Sequence, residues 1–184
     1  MRITMNEIIR DDNPLIRERS KAVPLPLKKE DRDLLSAMLE YVRDSTDEEL
    51  AEKYHLRPAV GIAAVQCGVL KKMLAIVIHE EEETIEYALV NPKIVSQSVQ
   101  KAYLKMGEGC LSVDALHEGY VPRSARITVE GYDMIRNESI RIRARGYEAI
   151  VLQHEMDHFN GVLYYDHINK ENPFQEIPDA IVIE

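Results

Sequence analysis

The segment VLQHEMDHFN, residues 151–160, contains two histidines four residues apart, with a glutamate directly after the first. Side chains four residues apart lie on the same face of a helix, so His154 and His158 can bind one metal ion together. Glu155 lies about 100° further round the helix axis. From there it can reach a water molecule beside the ion, which favours a role in proton transfer over a role as a ligand.

Two ligands do not complete a metal site, so a third must come from elsewhere in the chain. Zinc peptidases take it from further downstream, where His167 and Glu171 are the candidates, but the longer peptidase motif would need a histidine in place of Tyr164. Upstream, Cys110 follows Gly109, whose lack of a side chain allows close approach of the backbone. A thiolate and two imidazoles leave one metal position open, which is typical of a catalytic site.

The alternative is an ordinary buried helix whose histidines are satisfied by hydrogen bonds. Against it, two histidines and a glutamate in an otherwise apolar helix would leave several buried polar groups to satisfy.

The elements that must position these residues follow from the spacing of apolar residues. Helical spacing predicts a helix over residues 30–45, and Thr46 with Glu49 three residues later indicates the start of a second, short helix. A buried helix is predicted over residues 147–159, ended by Gly161, and then a strand over 162–168 and an irregular acidic tail. Segments rich in β-branched residues predict five more strands, at 60–66, 72–80, 86–99, 125–133 and 139–146.

Length and composition limit the class of protein. A chain of 184 residues with 45% hydrophobic residues suits one core, so we expect a single domain over residues 1–184. A formal charge of −9 without a block of basic residues argues against binding of nucleic acid through a basic face, so we expect no direct DNA binding. No apolar run is long enough for a membrane span or a signal peptide, so we expect a cytoplasmic protein. Two cysteines are too few for a disulfide framework, and Cys67 is interpreted as a packed residue.

Three motifs follow one another along the chain: AVGIAAVQ at 59–66, EGCLS at 108–112 and QHEMDHFNG at 153–161. In this order they resemble the peptide deformylase family, in the longer form associated with Gram-positive bacteria, and the similarity extends over essentially the whole chain. The resemblance implies an α+β fold with antiparallel β-sheets packed around a central C-terminal helix that carries the HExxH motif. It also implies a metal-dependent hydrolase that removes the N-terminal formyl group from formyl-methionine of newly synthesised polypeptides and releases formate.

The resemblance also implies roles for single residues and for cofactors. Cys110, His154 and His158 would hold the metal, and Glu155 would be the general acid and base. The family's physiological metal is Fe²⁺, with Zn²⁺, Ni²⁺ or Co²⁺ able to replace it in a purified sample. The oxyanion hole would consist of the side-chain amide of Gln66 and the backbone N–H of Leu111.

The substrate and partners follow from the same implied reaction. The methionine side chain needs an apolar pocket beside the metal, with Tyr147 at its rim. The residues expected to bind it are Val60, Gly61, Gly109, Ile150 and Val151. We expect formyl-methionyl nascent peptides as the substrate, a transient contact with the ribosome, no membrane partner and a monomeric enzyme.

Two positions depart from the family pattern. Ala59 stands where the first motif usually begins with glycine, and Val65 stands where proline or another small residue commonly precedes Gln66. Both are expected to alter the strand that lines the cleft. Two alternatives therefore stay open: a deformylase-like binding protein that has lost turnover, and a zinc peptidase that uses the same HExxH helix.

Overall fold

The computed structural model describes residues 1–184 and contains three α-helices. These are α1 (Lys29–Ser45), α2 (Glu48–Tyr54) and α3 (Gly146–Asp157). The predicted first helix is confirmed, but α2 begins one residue later than Thr46 would place it. The reason is that the Thr46 hydroxyl donates back to the Arg43 carbonyl, while the carboxylate of Asp47 accepts from the Leu50 N–H at 3.1 Å and caps the helix.

Eight strands form two sheets. They are β1 (Gly61–Ala63), β2 (Met73–His79), β3 (Thr84–Gln97), β4 (Lys101–Leu104), β5 (Arg123–Ser124), β6 (Arg126–Asp133), β7 (Glu138–Arg145) and β8 (Ile181–Ile183). The larger sheet has the order β1–β2–β3–β6–β7 and is antiparallel throughout. The smaller has the order β5–β4–β8, with β4 and β8 parallel. The tail expected to be irregular thus supplies β8, whose Ile-Val-Ile sequence suits a strand.

Two predicted strands are wrong in whole or in part. The strand predicted over 60–66 ends at Ala63, and Ala64–Cys67 form a 3₁₀ turn held by the Gln66 side chain, which accepts from the Ala63 N–H at 2.9 Å. The strand predicted over 162–168 is replaced by a 3₁₀ turn, Tyr164–His167. There the Asp166 carboxylate accepts from the Leu163 N–H, a local hydrogen bond that competes with strand pairing.

The larger sheet is covered on both faces at β2. In β2, Leu74 and Ile76 pack with α3, while the alternate residues Ala75 and Val77 pack with α1. Helix α3 therefore lies buried against the sheet, and the polar side chains in it need partners inside the protein.

No helix is both long enough and apolar enough to cross a lipid bilayer.

Candidate active site

The fold brings Cys110, His154 and His158 together. The donor atoms of the three side chains all lie within 4.8 Å of one another, and Cys110 Sγ is 3.6 Å from His158 Nε2. Sulfur and nitrogen ligands of one tetrahedral metal ion lie roughly 3.5 Å apart at ordinary bond lengths. Burial, followed by the charge of His154, lowers the pKa of His158 to about 3, so this ring is neutral and able to bind a cation. The three residues thus fit a metal ion that keeps an open position.

The carboxylate of Glu108 orients the His154 ring. Its Nδ1 lies 2.8 Å from Glu108 Oε1, which leaves Nε2 for the metal. The ring of Tyr164 stacks over it, with centroids 6.2 Å apart. His167, the downstream candidate, lies elsewhere, with Nε2 2.9 Å from the Asp157 carboxylate.

Glu108 belongs to a buried ionic network. Arg123 donates to both of its carboxylate oxygens, at 2.7 and 2.8 Å, and to Asp157 at 2.9 Å. The side chains of Glu108 and Arg123 are only 4% and 3% exposed. Burial by itself would raise the pKa of Glu108, but the hydrogen bonds from Arg123 and His154 outweigh it and hold the pKa at about 2. Glu108 therefore stays charged and keeps His154 in a fixed orientation.

Replacing Glu108 by glutamine should lower the free energy of unfolding by about 3 kcal/mol, because Arg123 would lose its main counter-charge inside the protein. Urea unfolding of the metal-free protein measures this without a contribution from lost metal. The matched control is Glu130→Gln, which breaks the exposed pair with Arg141 and should change the free energy by less than about 1 kcal/mol. Equal, small changes in both variants would show that the buried pair does not stabilise the fold.

Glu155 lies next to the three candidate ligands without being one of them. Its Oε1 is 3.8 Å from His154 Nε2 and 4.0 Å from His158 Nε2, and its Oε2 has no hydrogen-bond partner. Burial raises its pKa to about 7, so the carboxylate exchanges a proton near neutral pH. Gly61 faces it so closely that an added Cβ would lie 2.9 Å from Glu155 Cγ. A side chain at position 61 would displace the carboxylate.

The side-chain amide nitrogen of Gln66 points towards Cys110. With its oxygen engaged by Ala63, its NH₂ group donates to Ser112 Oγ at 3.2 Å and towards Cys110 Sγ at 3.4 Å. The backbone N–H of Leu111 makes no hydrogen bond within the protein, while its carbonyl accepts from Arg57. Two donors are therefore available beside Cys110.

The five residues expected to bind substrate all line one cleft of about 420 Å³. They are joined there by Gln66, Cys110, Leu111, His154 and Glu155, whereas His158 lies behind them. Tyr147, 36% exposed, lies at the rim as expected. Ala59 also lines the cleft, but Val65 does not: it is fully buried in the core, because the 3₁₀ turn points its side chain inwards. Val65 was expected to alter the strand that lines the cleft, but it lies in the turn that follows β1.

Several residues at the site were missed by the sequence analysis. Thr46 and Arg57 line the cleft, and Glu108 and Arg123 orient His154. Glu108 stands two residues before Cys110 in the EGCLS motif, which was the available signal. Nothing in the spacing pairs it with Arg123. Cys67 packs against the core on the α1 side, where burial raises its pKa to about 12, and it takes no part in the site.

Comparison with known proteins gives one consistent result. The sequence profile described as polypeptide deformylase matches residues 5–174. Peptide deformylase 2 of Bacillus subtilis is 53% identical over 99% of both chains, and a peptide deformylase of Listeria monocytogenes is 51% identical over 98% of both. The crystal structure of peptide deformylase from Ehrlichia chaffeensis is similar with a TM-score of 0.72 and 30% identity, covering 94% of this chain and 91% of that one.

Proposed function

Since the chain belongs to the polypeptide deformylase family, we propose that Cys110, His154 and His158 hold its catalytic metal and that Glu155 moves the protons of the reaction. The protein is an enzyme that removes N-terminal formyl groups from nascent peptides and releases formate. The observation that carries the assignment is the convergence of three donor side chains beside one buried carboxylate whose Oε2 has no hydrogen-bond partner. All of these residues except His158 line a single cleft.

The family depends on a metal, and we propose Fe²⁺ for this member. When bound, such an ion polarises the formyl oxygen and lowers the pKa of a water molecule at its open position. A thiolate and two imidazoles suit both iron and zinc, so Zn²⁺, Ni²⁺ or Co²⁺ would be accepted by the same three residues in a purified sample.

Glu155 acts first as base and then as acid. Its carboxylate accepts a proton from the attacking water and then delivers it to the amine nitrogen of methionine, which cannot depart as an anion. A pKa of about 7 suits both transfers, because the proton is neither too tightly nor too weakly held. The close approach of Gly61 keeps the carboxylate in place.

Gln66 and Leu111 stabilise the charge that develops on the formyl oxygen. The amide nitrogen of Gln66 and the backbone N–H of Leu111 are the donors proposed for it, and both flank Cys110. Donors fixed in place before the reaction stabilise such charge without reorganisation.

Replacing Gln66 by alanine should lower kcat by about 10²–10³-fold, the usual loss for one oxyanion donor. Bound metal should be unchanged, and initial-rate assays with a formyl-methionyl peptide measure the effect. Ser112→Ala is the control, since it removes the partner of the Gln66 amide and leaves the donor itself. A Ser112→Ala loss as large as that of Gln66→Ala would mean that the hydrogen bond between them, rather than the oxyanion, explains the effect.

The apolar part of the cleft receives the methionine side chain. Val60, Gly61, Ile150 and Val151 line it, and Tyr147 lies at the rim. Gly109 leaves room for the peptide backbone, since nothing lies within 4 Å of where its Cβ would be.

Further aspects of the function belong to the same proposal. We propose that residues 1–184 act as one catalytic unit, since both cores pack on the same sheet, and that the enzyme is a monomer. We also propose that the enzyme works in the cytoplasm and meets the ribosome transiently, because its substrates are chains still being made.

Formate release tests the proposed function. Protein purified without oxygen should contain iron and release formate from a formyl-methionyl peptide, while leaving the unformylated peptide intact. Cleavage of the unformylated peptide would revive the zinc peptidase alternative. Bound metal and bound formyl-peptide without formate would indicate a binding protein that has lost turnover.

A further inference from the structure

Strands β6 and β7 present a row of arginines on the face of the larger sheet that lies away from α3. Along β7, Arg141, Arg143 and Arg145 are exposed, while the alternate residues Ile142 and Ala144 are buried in the core. Arg126 on β6 is exposed on the same side, directly across from Arg145. We call Arg126, Arg143 and Arg145 the arginine face.

The arginine face contains an unfavourable pair of like charges. Arg141 lies across from Glu130 and forms an ion pair with it at 3.1 Å, the arrangement expected of a stable sheet. At the other end of the same two strands, Arg145 lies across from Arg126, and like charges directly opposite each other are destabilising. None of the three arginines forms an ion pair, although the chain carries a net charge of −9. A cost of this kind is offset when an anion binds.

Hydroxyl groups border the same arginines. Thr128 lies across from Arg143, and Ser96 and Ser98 line the same groove, which has a volume of about 520 Å³. Guanidinium and hydroxyl groups together are the side chains that proteins use most to bind phosphate oxygens.

We propose that the arginine face binds the phosphate backbone of an RNA strand. Arg143 and Arg145 lie two residues apart on β7, about 6.7 Å, and Arg126 lies across from Arg145 on β6. The three guanidinium groups therefore spread along the open sheet surface and do not close round one small anion, which suits successive phosphates better. The exposed side chains that line the groove are charged, hydroxylic or amide groups, and its two apolar lining residues, Ile127 and Ala144, are buried. The groove therefore lacks the exposed apolar residues that enter a lipid surface. The sequence contains no block of basic residues, so the search for such a block overlooked this face. Its arginines come together only through the alternation of side chains along β7 and the pairing of β6 with β7.

The arginine face lies close to the active site along the chain. Arg145 precedes Tyr147 at the cleft rim by two residues, so their Cα atoms are at most about 7 Å apart. An RNA held there would run past the end of β7, from which the chain leads into the cleft rim. For an enzyme that acts on nascent chains the RNA would be ribosomal, and this last step alone rests on the proposed function.

Binding to a labelled single-stranded RNA of 20 nucleotides, measured by fluorescence anisotropy over a series of salt concentrations, tests the proposal. The metal-loaded wild type should bind with an affinity that falls with salt. Arg143→Glu/Arg145→Glu should bind about tenfold or more weakly, with a slope of log affinity against log salt smaller by about 1.4, because each phosphate contact contributes about 0.7. Lys28→Glu/Arg32→Glu, with the same charge change at exposed positions by α1, should bind within about twofold of the wild type at low salt.

Hydrolysis of a short formyl-methionyl peptide is measured on the same samples and should be unchanged in both variants, which separates loss of RNA binding from loss of fold or activity. The milder Arg145→Gln, which removes the like-charge pair, should be no less stable than the wild type and should reduce the salt slope by about 0.7. No RNA binding by the wild type, or equal weakening in the two double variants, would overturn the proposal. Tighter binding to phosphatidylserine vesicles than to RNA would overturn it in favour of a lipid surface.

Discussion

Replacing Glu155 by glutamine should lower kcat for formate release by about 10²–10⁴-fold, the usual contribution of a positioned acid and base. Glutamine has nearly the same shape but can neither accept the proton of the attacking water nor deliver one to the amine. Because the carboxylate is separate from the three metal ligands, the variant should keep one metal ion per chain. Steady-state assays with a formyl-methionyl peptide and elemental analysis of the same preparation measure both quantities.

Glu148→Gln is the matched control for this result. Glu148 lies on the same helix, is half-buried and bonds the Tyr87 hydroxyl, but it does not line the cleft. Its replacement should leave kcat within about threefold, since it touches none of the reacting groups. A Glu155→Gln variant that loses its metal would make the glutamate a ligand and contradict the role given to it here.

Replacing Cys110 by alanine should remove both the metal and the activity. The thiolate is one of only three proposed protein ligands, and loss of an outer partner of a ligand already weakens metal binding by about 10–100-fold. Loss of the ligand itself should weaken it further, so that dialysed protein contains little metal and releases formate at a background rate. Titration of the metal-free variant with Zn²⁺ gives the change in affinity directly.

The second cysteine supplies the control. Cys67 lies one residue past Gln66 but packs against the opposite core, so Cys67→Ala should keep both the metal and the rate of formate release. If Cys110→Ala retained a full metal ion and turned over normally, the third ligand would have to be another residue, and the ligand set proposed above would be wrong.

The sequence predicted the parts of the site that depend on short-range spacing. His154 and Glu155 lie on α3, and His158 is its C-cap and begins the 3₁₀ turn His158–Asn160, so helical periodicity is still enough to place the two histidines on one face. The helix itself was predictable because its apolar residues are continuous and Gly161 ends it with a positive φ of 69°. Cys110 is different: its residue type and the neighbouring Gly109 made it a candidate, and the resemblance to a family assigned it as the third ligand.

Contacts between segments that are distant in the chain could not be predicted from the sequence. The 3₁₀ turn at Ala64–Cys67 is a local feature that was also missed, because its apolar residues resemble the end of a strand. The pairing of Glu108 with Arg123 follows from the packing of β5 against α3 and has no local pattern. The same holds for β8, which pairs with β4 across some 80 residues of chain.

X-ray absorption of the zinc-loaded protein tests the central claim most directly, because it reports the atoms bound to the metal. The proposed ligand set requires one sulfur at about 2.3 Å and two nitrogens at about 2.0–2.1 Å, with the sulfur signal absent from Cys110→Ala. A spectrum without sulfur, or one that fits only nitrogen and carboxylate oxygen, would contradict the assignment of Cys110, His154 and His158 as the metal ligands.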